Sequence, residues 1–234
     1  EGVKALGSLA ERYPQLKSKI VDLLKQTLDD NDKPPREAVR ALGSLADRYP
    51  ELQPQIVTLL KLKLNDDIYF IRLEAVQALG SLAERYPELK LDIVTLLGLT
   101  LEDEDEDVQR TAVEALYSLA ERYSELKSEI AILLGTTLKD NDPEVRYDAV
   151  EALDNLAEIY PELKLQIAIL LGTRLEDNDE EIRSAAVEAL GTMTNVSPEL
   201  KLQIVTLFLF GTKLNDNNED VRDEFARGLA NIAK

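Results

Sequence analysis

The chain repeats one phrase from end to end. The decapeptide Ala-Leu-Gly-Ser-Leu-Ala-(Glu/Asp)-Arg-Tyr-Pro has three clear copies and three diverged ones, which begin at Ala5, Ala41, Ala78, Ala115, Ala152 and Ala189. The valine two residues before each copy recurs after 36 residues once and after 37 residues four times. A period of this length is typical of stacked repeats, in which each unit buries its apolar face only against its neighbours. The chain is therefore expected to build an extended surface rather than a deep pocket.

Each copy predicts two helices with a turn between them. In the fifth copy, apolar residues recur at helical spacing and predict a first helix from about Glu144 to Ile159. Pro161 follows this helix and stops it, because proline cannot continue a helix. A second helix begins at once, and its apolar face consists of Leu163, Ile167, Leu170, Leu171 and Leu175. An acidic loop then leads to the next copy.

Composition argues against several functions. The chain has no cysteine and no histidine, so it lacks thiolate ligands, the commonest metal ligand and the usual general base near neutral pH. Its formal net charge of -18 opposes binding to the phosphate backbone of nucleic acids. Its apolar runs are far too short to span a bilayer. We therefore expect a cytoplasmic protein with no catalytic residue, metal, cofactor, nucleic-acid partner or membrane partner.

A second motif marks the junctions between copies. It has a leucine, an aspartate two residues later, a valine or isoleucine five residues after the aspartate, and an arginine directly after that residue. It occurs four times, beginning at Leu64, Leu138, Leu175 and Leu214. With this motif, the chain resembles the HEAT-repeat family over essentially all of its 234 residues.

The resemblance implies an all-α fold, a right-handed α-solenoid of about six and a half two-helix HEAT-like repeats with a period of 37 residues. The 234 residues would form a single solenoid. Its repeats would occupy residues 1–32, 33–67, 68–105, 106–142, 143–179 and 180–218, with a partial repeat at 219–234.

The resemblance also implies a structural ladder of charges between consecutive repeats. Carried over to this chain, its members are the pairs Asp66 and Arg72, Asp140 and Arg146, Asp177 and Arg183, and Asp216 and Arg222. The motif lapses at two junctions, where Gln109 and Pro35 replace the arginine opposite Asp103 and Asp29. We expect the ladder to be weaker there.

A column of residues on the second helices is nearly free of charge and is projected to point away from the core. We call it the apolar column; its members are Leu91, Thr95, Gly98, Ile132, Gly135, Leu165, Ile169, Gly172, Leu202 and Thr206. In HEAT-like stacks the second helices line the concave side, so the resemblance implies one continuous concave surface that binds a partner. The alternative is that neighbouring second helices bury this column between them, with the glycines marking close packing.

Two further features leave alternatives open. The turn sequence Arg-Tyr-Pro stacks along another edge, where it either anchors a partner or closes the turn over the core. The sixth copy carries a two-residue insertion, Leu209 and Phe210, which is expected to bulge, shift the register or unwind the helix locally.

The first and last repeats look incomplete, so self-association through them is a further expectation.

These observations predict a non-enzymatic scaffold that binds a protein or a peptide on the concave surface of the second helices. The acidic edge of the stack would favour a basic partner. Two alternatives stay open. One is an engineered or consensus-type repeat array without a natural ligand, and the other is a HEAT-like bilin lyase or an accessory factor.

Overall fold

The computed structural model describes residues 6, 8, 9, 12–28, 35–193, 198–211 and 216–232. Within these ranges the protein consists of α-helices, short 3-10 turns and loops, with no strand. The prediction of an all-α fold is confirmed. The chain divides into two compact units, Glu1–Leu119 and Ala120–Lys234. No helix in the described part of the chain is long and apolar enough to cross a membrane.

First and second helices alternate along both units. The first unit contains α1 (Lys17–Leu28), α2 (Pro35–Arg48), α3 (Gln53–Lys63), α4 (Tyr69–Arg85), α5 (Lys90–Thr100) and most of α6 (Glu106–Arg122). The second unit contains α7 (Lys127–Thr137), α8 (Pro143–Ile159), α9 (Lys164–Gly172), α10 (Glu180–Thr192), α11 (Pro198–Gly211) and α12 (Glu219–Ile232). Even-numbered helices are the first helices of their repeats, and odd-numbered helices are the second.

The helix boundaries follow from caps and prolines. Asp142 caps α8, because its side chain accepts hydrogen bonds from the backbone N–H groups of Glu144 and Val145. Pro143 occupies the first turn, where proline is tolerated. The predicted first helix of the fifth copy is thus confirmed. At its other end Tyr160 leaves the helix, and a 3-10 turn of Pro161–Leu163 leads directly into α9.

The core lies between the first and second helices of consecutive repeats. In the second unit α8 packs against α7, α9 and α10. Its buried side chains include Val145, Ala149, Leu153 and Leu156, and those of α9 include Ile167 and Leu171. Leu170, which we assigned to the core face of this helix, is only half-buried. It lies at the border between the core and the outer face.

Glycines allow two pairs of first helices to approach closely. A Cβ atom at Gly80 in α4 would lie 3.1 Å from the Cβ of Ala115 in α6. A Cβ atom at Gly191 in α10 would lie 3.1 Å from the Cα of Gly228 in α12. The separation is tight enough that a side chain at either glycine would require its neighbour to move.

The insertion in the sixth copy is accommodated without a break. Helix α11 continues from Pro198 to Gly211 as one α-helix, so the main chain neither bulges nor unwinds within these bounds. Phe208, directly before the insertion, is fully buried and packs on Phe225 of α12 with ring centroids 4.8 Å apart. The side chains of Leu209 and Phe210 lie outside the described residues.

Candidate functional site

Seven members of the apolar column have exposed side chains, as we predicted. Leu91, Ile132, Leu165, Ile169 and Leu202 are between 47% and 69% exposed. Thr95 and Thr206 are exposed as well, and each hydroxyl donates a hydrogen bond to the carbonyl four residues earlier in its own helix. The second helices pack on the core through their opposite faces. The five exposed aliphatic side chains are therefore available to contact another molecule.

In the second unit, exposed side chains of two consecutive second helices line a cleft. Its volume is about 500 Å³, and its apolar walls come from Ile132 of α7 and from Leu165, Ile169 and Leu170 of α9. Glu162, in the turn before α9, lies at its rim. A hydrogen bond from Lys127 lowers the pKa of this carboxyl and keeps it ionised at neutral pH. The cleft therefore combines an apolar surface with the Glu162–Lys127 ion pair beside it.

The glycines of the apolar column do not share this exposure. Gly135 is buried, and Gly98 and Gly172 are half-buried. A Cβ atom at Gly135 would lie 2.9 Å from the side chain of Leu170, and one at Gly172 would lie 2.8 Å from the side chain of Leu207. For Gly135 and Gly172 the expectation of an open outward face is therefore wrong, whereas for Gly98 it stays a prediction. In the second unit, these glycines make room for leucines of the next second helix, which is the alternative left open by the sequence.

Sequence reasoning also missed two exposed leucines. In the first unit Leu62 of α3 is 60% exposed and Leu99 of α5 is 71% exposed. Each lies one residue after the position that glycine occupies in the apolar column. The helical projection stopped at that position and so did not include them. Leu99 lines a cleft of about 430 Å³ together with Leu96 and acidic residues that include Asp67 and Glu102.

The ladder of charges is present, but its pairing is different from the one that the resemblance implies. Arg146 donates hydrogen bonds to both carboxylate oxygens of Asp177, which lies at the next junction. Its contact with Asp140, six residues earlier, is with the main-chain carbonyl at 2.9 Å. One guanidinium thus bridges the two junctions that flank its repeat.

The same arrangement recurs at other steps. Arg183 binds both carboxylate oxygens of Asp216 and the carbonyl of Asp177, while Arg222 binds the carbonyl of Asp216 at 2.7 Å. In the first unit Arg72 binds the carboxylate of Asp103 and the carbonyl of Asp66. We expected Asp103 to be weakly held because Gln109 replaces the arginine after it. Instead Asp103 is held by the arginine of the preceding junction. Asp29, the other expected weak point, lies outside the described residues.

The ladder aspartates also shape the loops. The Oδ1 atom of Asp140 accepts a hydrogen bond from the N–H of Asp142, and Asp177 does the same for Asp179. Burial tends to raise the pKa of Asp177, but hydrogen bonds from Arg146 and Asp179 and the charges of Arg146 and Arg174 lower it overall. The hydrogen bond with Asp216 raises the pKa of the Arg183 guanidinium. Asp177 and Arg183 belong to different pairs, and each shift favours the ionised form that its ion pair requires.

Two more cations reinforce the ladder. Arg174 donates to the carbonyl of Leu138 in the preceding repeat and to the carboxylate of Asp177. Lys63 occupies the same place in its repeat and donates to the carbonyl of Leu28 and to Asp66. The signal that could have revealed them is a cation three residues before the junction aspartate.

The tyrosines of the turn edge make structural contacts. The hydroxyl of Tyr160 donates to the carbonyl of Ala120 at 2.8 Å, and its ring lies under the ammonium of Lys127. Lys127 also pairs with Glu162. In the same way, Lys17 forms an ion pair with Glu51 and its ammonium lies over the ring of Tyr49. The turn tyrosines therefore connect consecutive repeats, a structural role that differs from both alternatives offered by the sequence.

Comparison with solved structures finds engineered repeat proteins. An engineered protein is 25% identical and has a TM-score of 0.56, with coverage of 99% of this chain and 61% of the other. A designed armadillo repeat protein in complex with the peptide (KR)4 is 22% identical, with 90% and 98% coverage and a TM-score of 0.58. Computationally designed armadillo repeat proteins for modular peptide recognition are 22% identical, with 89% and 98% coverage and a TM-score of 0.56. These likenesses show the same α-solenoid fold.

A comparison with curated proteins finds no match. The family model for HEAT repeats matches residues 18–116, 71–154 and 93–191, which together span well over half of the chain. The matched segments contain the ladder arginines Arg72, Arg146 and Arg183. Two-helix repeats, a charge ladder between their junctions and this match lead to one conclusion: the chain belongs to the HEAT-repeat family.

Proposed function

We propose that this protein is a non-enzymatic scaffold that binds a protein or peptide segment on the exposed aliphatic side chains of its second helices. The observation that carries the proposal is the exposure of Ile132, Leu165 and Ile169 around one apolar cleft in the second unit. Large aliphatic side chains grouped in this way are a mark of interaction sites. Each side chain is about half exposed, so burial of its exposed part would contribute about 1 kcal/mol before the costs of association are subtracted.

The occupant that we propose is a peptide segment with apolar side chains and a net positive charge. The apolar side chains fit the cleft between α7 and α9, and the positive charge complements the net charge of -18. Complementary charge would speed association at low salt and discriminate against acidic segments. The designed armadillo repeat protein with a similar fold is in complex with the basic peptide (KR)4, and a basic segment is the occupant that we propose for this chain.

The test is selection of binders from a phage-displayed library of random peptides. Peptides selected on the unmodified protein should lose binding to an Ile169→Glu variant and keep it with Ile159→Glu. Ile159 is 43% exposed and does not line the cleft, so the second variant controls for the added charge. Equal thermal midpoints would show that both variants fold. Selected peptides that bind Ile169→Glu as tightly as the unmodified protein would contradict the proposal, as would failure to select any.

A second candidate is a consensus-type or engineered array that has no natural ligand. The feature that favours it is the near identity of the three decapeptides that begin at Ala5, Ala41 and Ala78. Under this alternative, the same selection would return no peptide that depends on Ile169.

A further inference from the structure

Asp154 occupies a position that glycine holds in several other repeats. It aligns with Gly43, Gly80 and Gly191 in the repeated decapeptide. In two of those repeats the glycine lies where consecutive first helices approach closely. A Cβ atom at Gly80 would lie 3.1 Å from the Cβ of Ala115, and a Cβ atom at Gly191 would lie 3.1 Å from the Cα of Gly228. Asp154 therefore places a carboxyl group at a position where these two repeats have no side chain and little space. The position is not equally tight in every repeat, since a Cβ atom at Gly43 would meet nothing within 4 Å and the fourth repeat has Tyr117 there.

One oxygen of this half-buried carboxyl group lacks a hydrogen-bond partner in the described part of the chain. Its Oδ1 atom is buried and has no hydrogen-bond partner among the described residues. Helix α8, which carries it, packs against α10 of the next repeat. A buried polar atom without a hydrogen bond destabilises the fold, and an ionised oxygen does so more than a protonated one.

The nearby charges also oppose ionisation. Glu158 on the same helix and Glu188 on α10 both repel a negative charge on Asp154, while Lys164 on α9 attracts it. Burial is the largest influence, and together with the two glutamates it raises the pKa of Asp154 to about 6.

Helices α7 and α10 also carry cations near α8, but these cations form ion pairs with other carboxylates. Lys127 of α7 is paired with Glu162, which belongs to the turn after α8. Arg183 of α10 is paired with Asp216. Of the described charges, only Lys164 attracts the ionised carboxylate of Asp154.

We propose that Asp154 is a proton-dependent lock between the fifth and sixth repeats: protonation of its carboxyl group stabilises the packing of α8 against α10, and ionisation loosens it. The geometry that carries the proposal is a carboxyl oxygen buried without a partner at a glycine position of the repeat. The folded protein holds this proton more tightly than the unfolded chain does. The stability that Asp154 contributes is therefore complete below the unfolded pKa of about 3.8 and is lost as the pH rises through about 6.

The test compares Asp154→Asn with the unmodified protein by urea denaturation at pH 7.5 and at pH 5. Asparagine keeps the shape of the protonated acid, so it should raise the folding equilibrium constant at pH 7.5. This advantage should shrink by about tenfold at pH 5, because the carboxyl of the unmodified protein is then mostly protonated. Glu151→Gln, an exposed change on the same helix, should give the same ratio to the unmodified protein at both pH values.

A second measurement does not depend on a variant. A carbon-detected NMR titration of the unmodified protein should show the Asp154 carboxyl titrating near pH 6. Titration near pH 4 with parallel pH profiles for Asp154→Asn and the unmodified protein would overturn the proposal.

Discussion

Arg146 and Asp177, 31 residues apart, form a buried bidentate ion pair between consecutive junctions. Their side chains are 6% and 3% exposed, and the Nη2 to Oδ1 distance is 2.8 Å. The same guanidinium donates to the carbonyl of Asp140, so it holds the loop before its own repeat and the loop after it. Since apolar packing is not directional, these pairs, together with the other polar contacts between consecutive repeats, also define the register of one repeat on the next.

Replacement of Arg146 by alanine should destabilise the second unit strongly. It would leave the buried carboxylate of Asp177 with Arg174 as its remaining ionic partner, and it would remove the hydrogen bonds that Arg146 donates to the carbonyls of Asp140 and Asn141. We expect the free energy of unfolding to fall by about 3 kcal/mol. Arg227→Ala is the matched control, because Arg227 forms an exposed pair with Glu224 that should contribute at most about 1 kcal/mol. Chemical denaturation of both variants gives the comparison, and equal small losses would show that the ladder does not stabilise the fold.

Asp177 should make the protein sensitive to acid. Its folded-state pKa is lowered, so its ionised form stabilises the fold above the unfolded pKa of about 3.8. That stability is lost as the pH falls through the lower, folded-state pKa. The difference in free energy of unfolding between the unmodified protein and Asp177→Asn should be constant from pH 7 to pH 5 and should shrink below about pH 4. A difference that persists unchanged to pH 2 would show that the carboxylate charge is not responsible. Asp154 has the opposite pH dependence, because its pKa is raised.

The sequence was a good guide to the fold because the information is local and repeated. Apolar spacing, the capping Asp142 and Pro143, and the stop at Pro161 each act within a few residues, and the structure places the helix boundaries where they indicated. The family match confirms the two-helix HEAT repeats. Handedness and the continuity of a single solenoid stay predictions.

The site was predicted less completely because its contacts join residues about one repeat apart. Helical projection correctly placed Leu165 and Ile169 outward, but it could not show that Gly135 would be covered by Leu170 of the following helix. Likewise the motif identified Asp140 and Arg146, while the carboxylate that Arg146 binds belongs to the next junction. A repeat pattern shows which positions are equivalent; it does not show which neighbour they contact.

Two glycines should respond in opposite directions to alanine. Gly43 lies within α2, and a Cβ atom added there would have no neighbouring atom within 4 Å, so Gly43→Ala should stabilise the protein by up to about 1 kcal/mol through helix propensity. At Gly228 a Cβ atom would lie 2.8 Å from the ring of Phe208, which is fully buried and cannot move aside. Gly228→Ala should destabilise by about 1–3 kcal/mol despite the better propensity. Thermal denaturation of the two variants checks this, and a stabilised Gly228→Ala would show that Phe208 repacks freely.

Thr137, at the end of α7, carries a buried hydroxyl that accepts and donates no hydrogen bond among the described residues. Valine has almost the same shape and no polar atom, so Thr137→Val should raise the free energy of unfolding by about 1 kcal/mol. Thr100 occupies the equivalent place in α5, where its hydroxyl donates to the carbonyl of Leu97 at 2.7 Å. Thr100→Val should therefore lower the free energy of unfolding by about 0.5–1 kcal/mol. Urea denaturation of both variants measures the contrast. A loss of stability in Thr137→Val equal to that in Thr100→Val would mean that the Thr137 hydroxyl has a partner in solution.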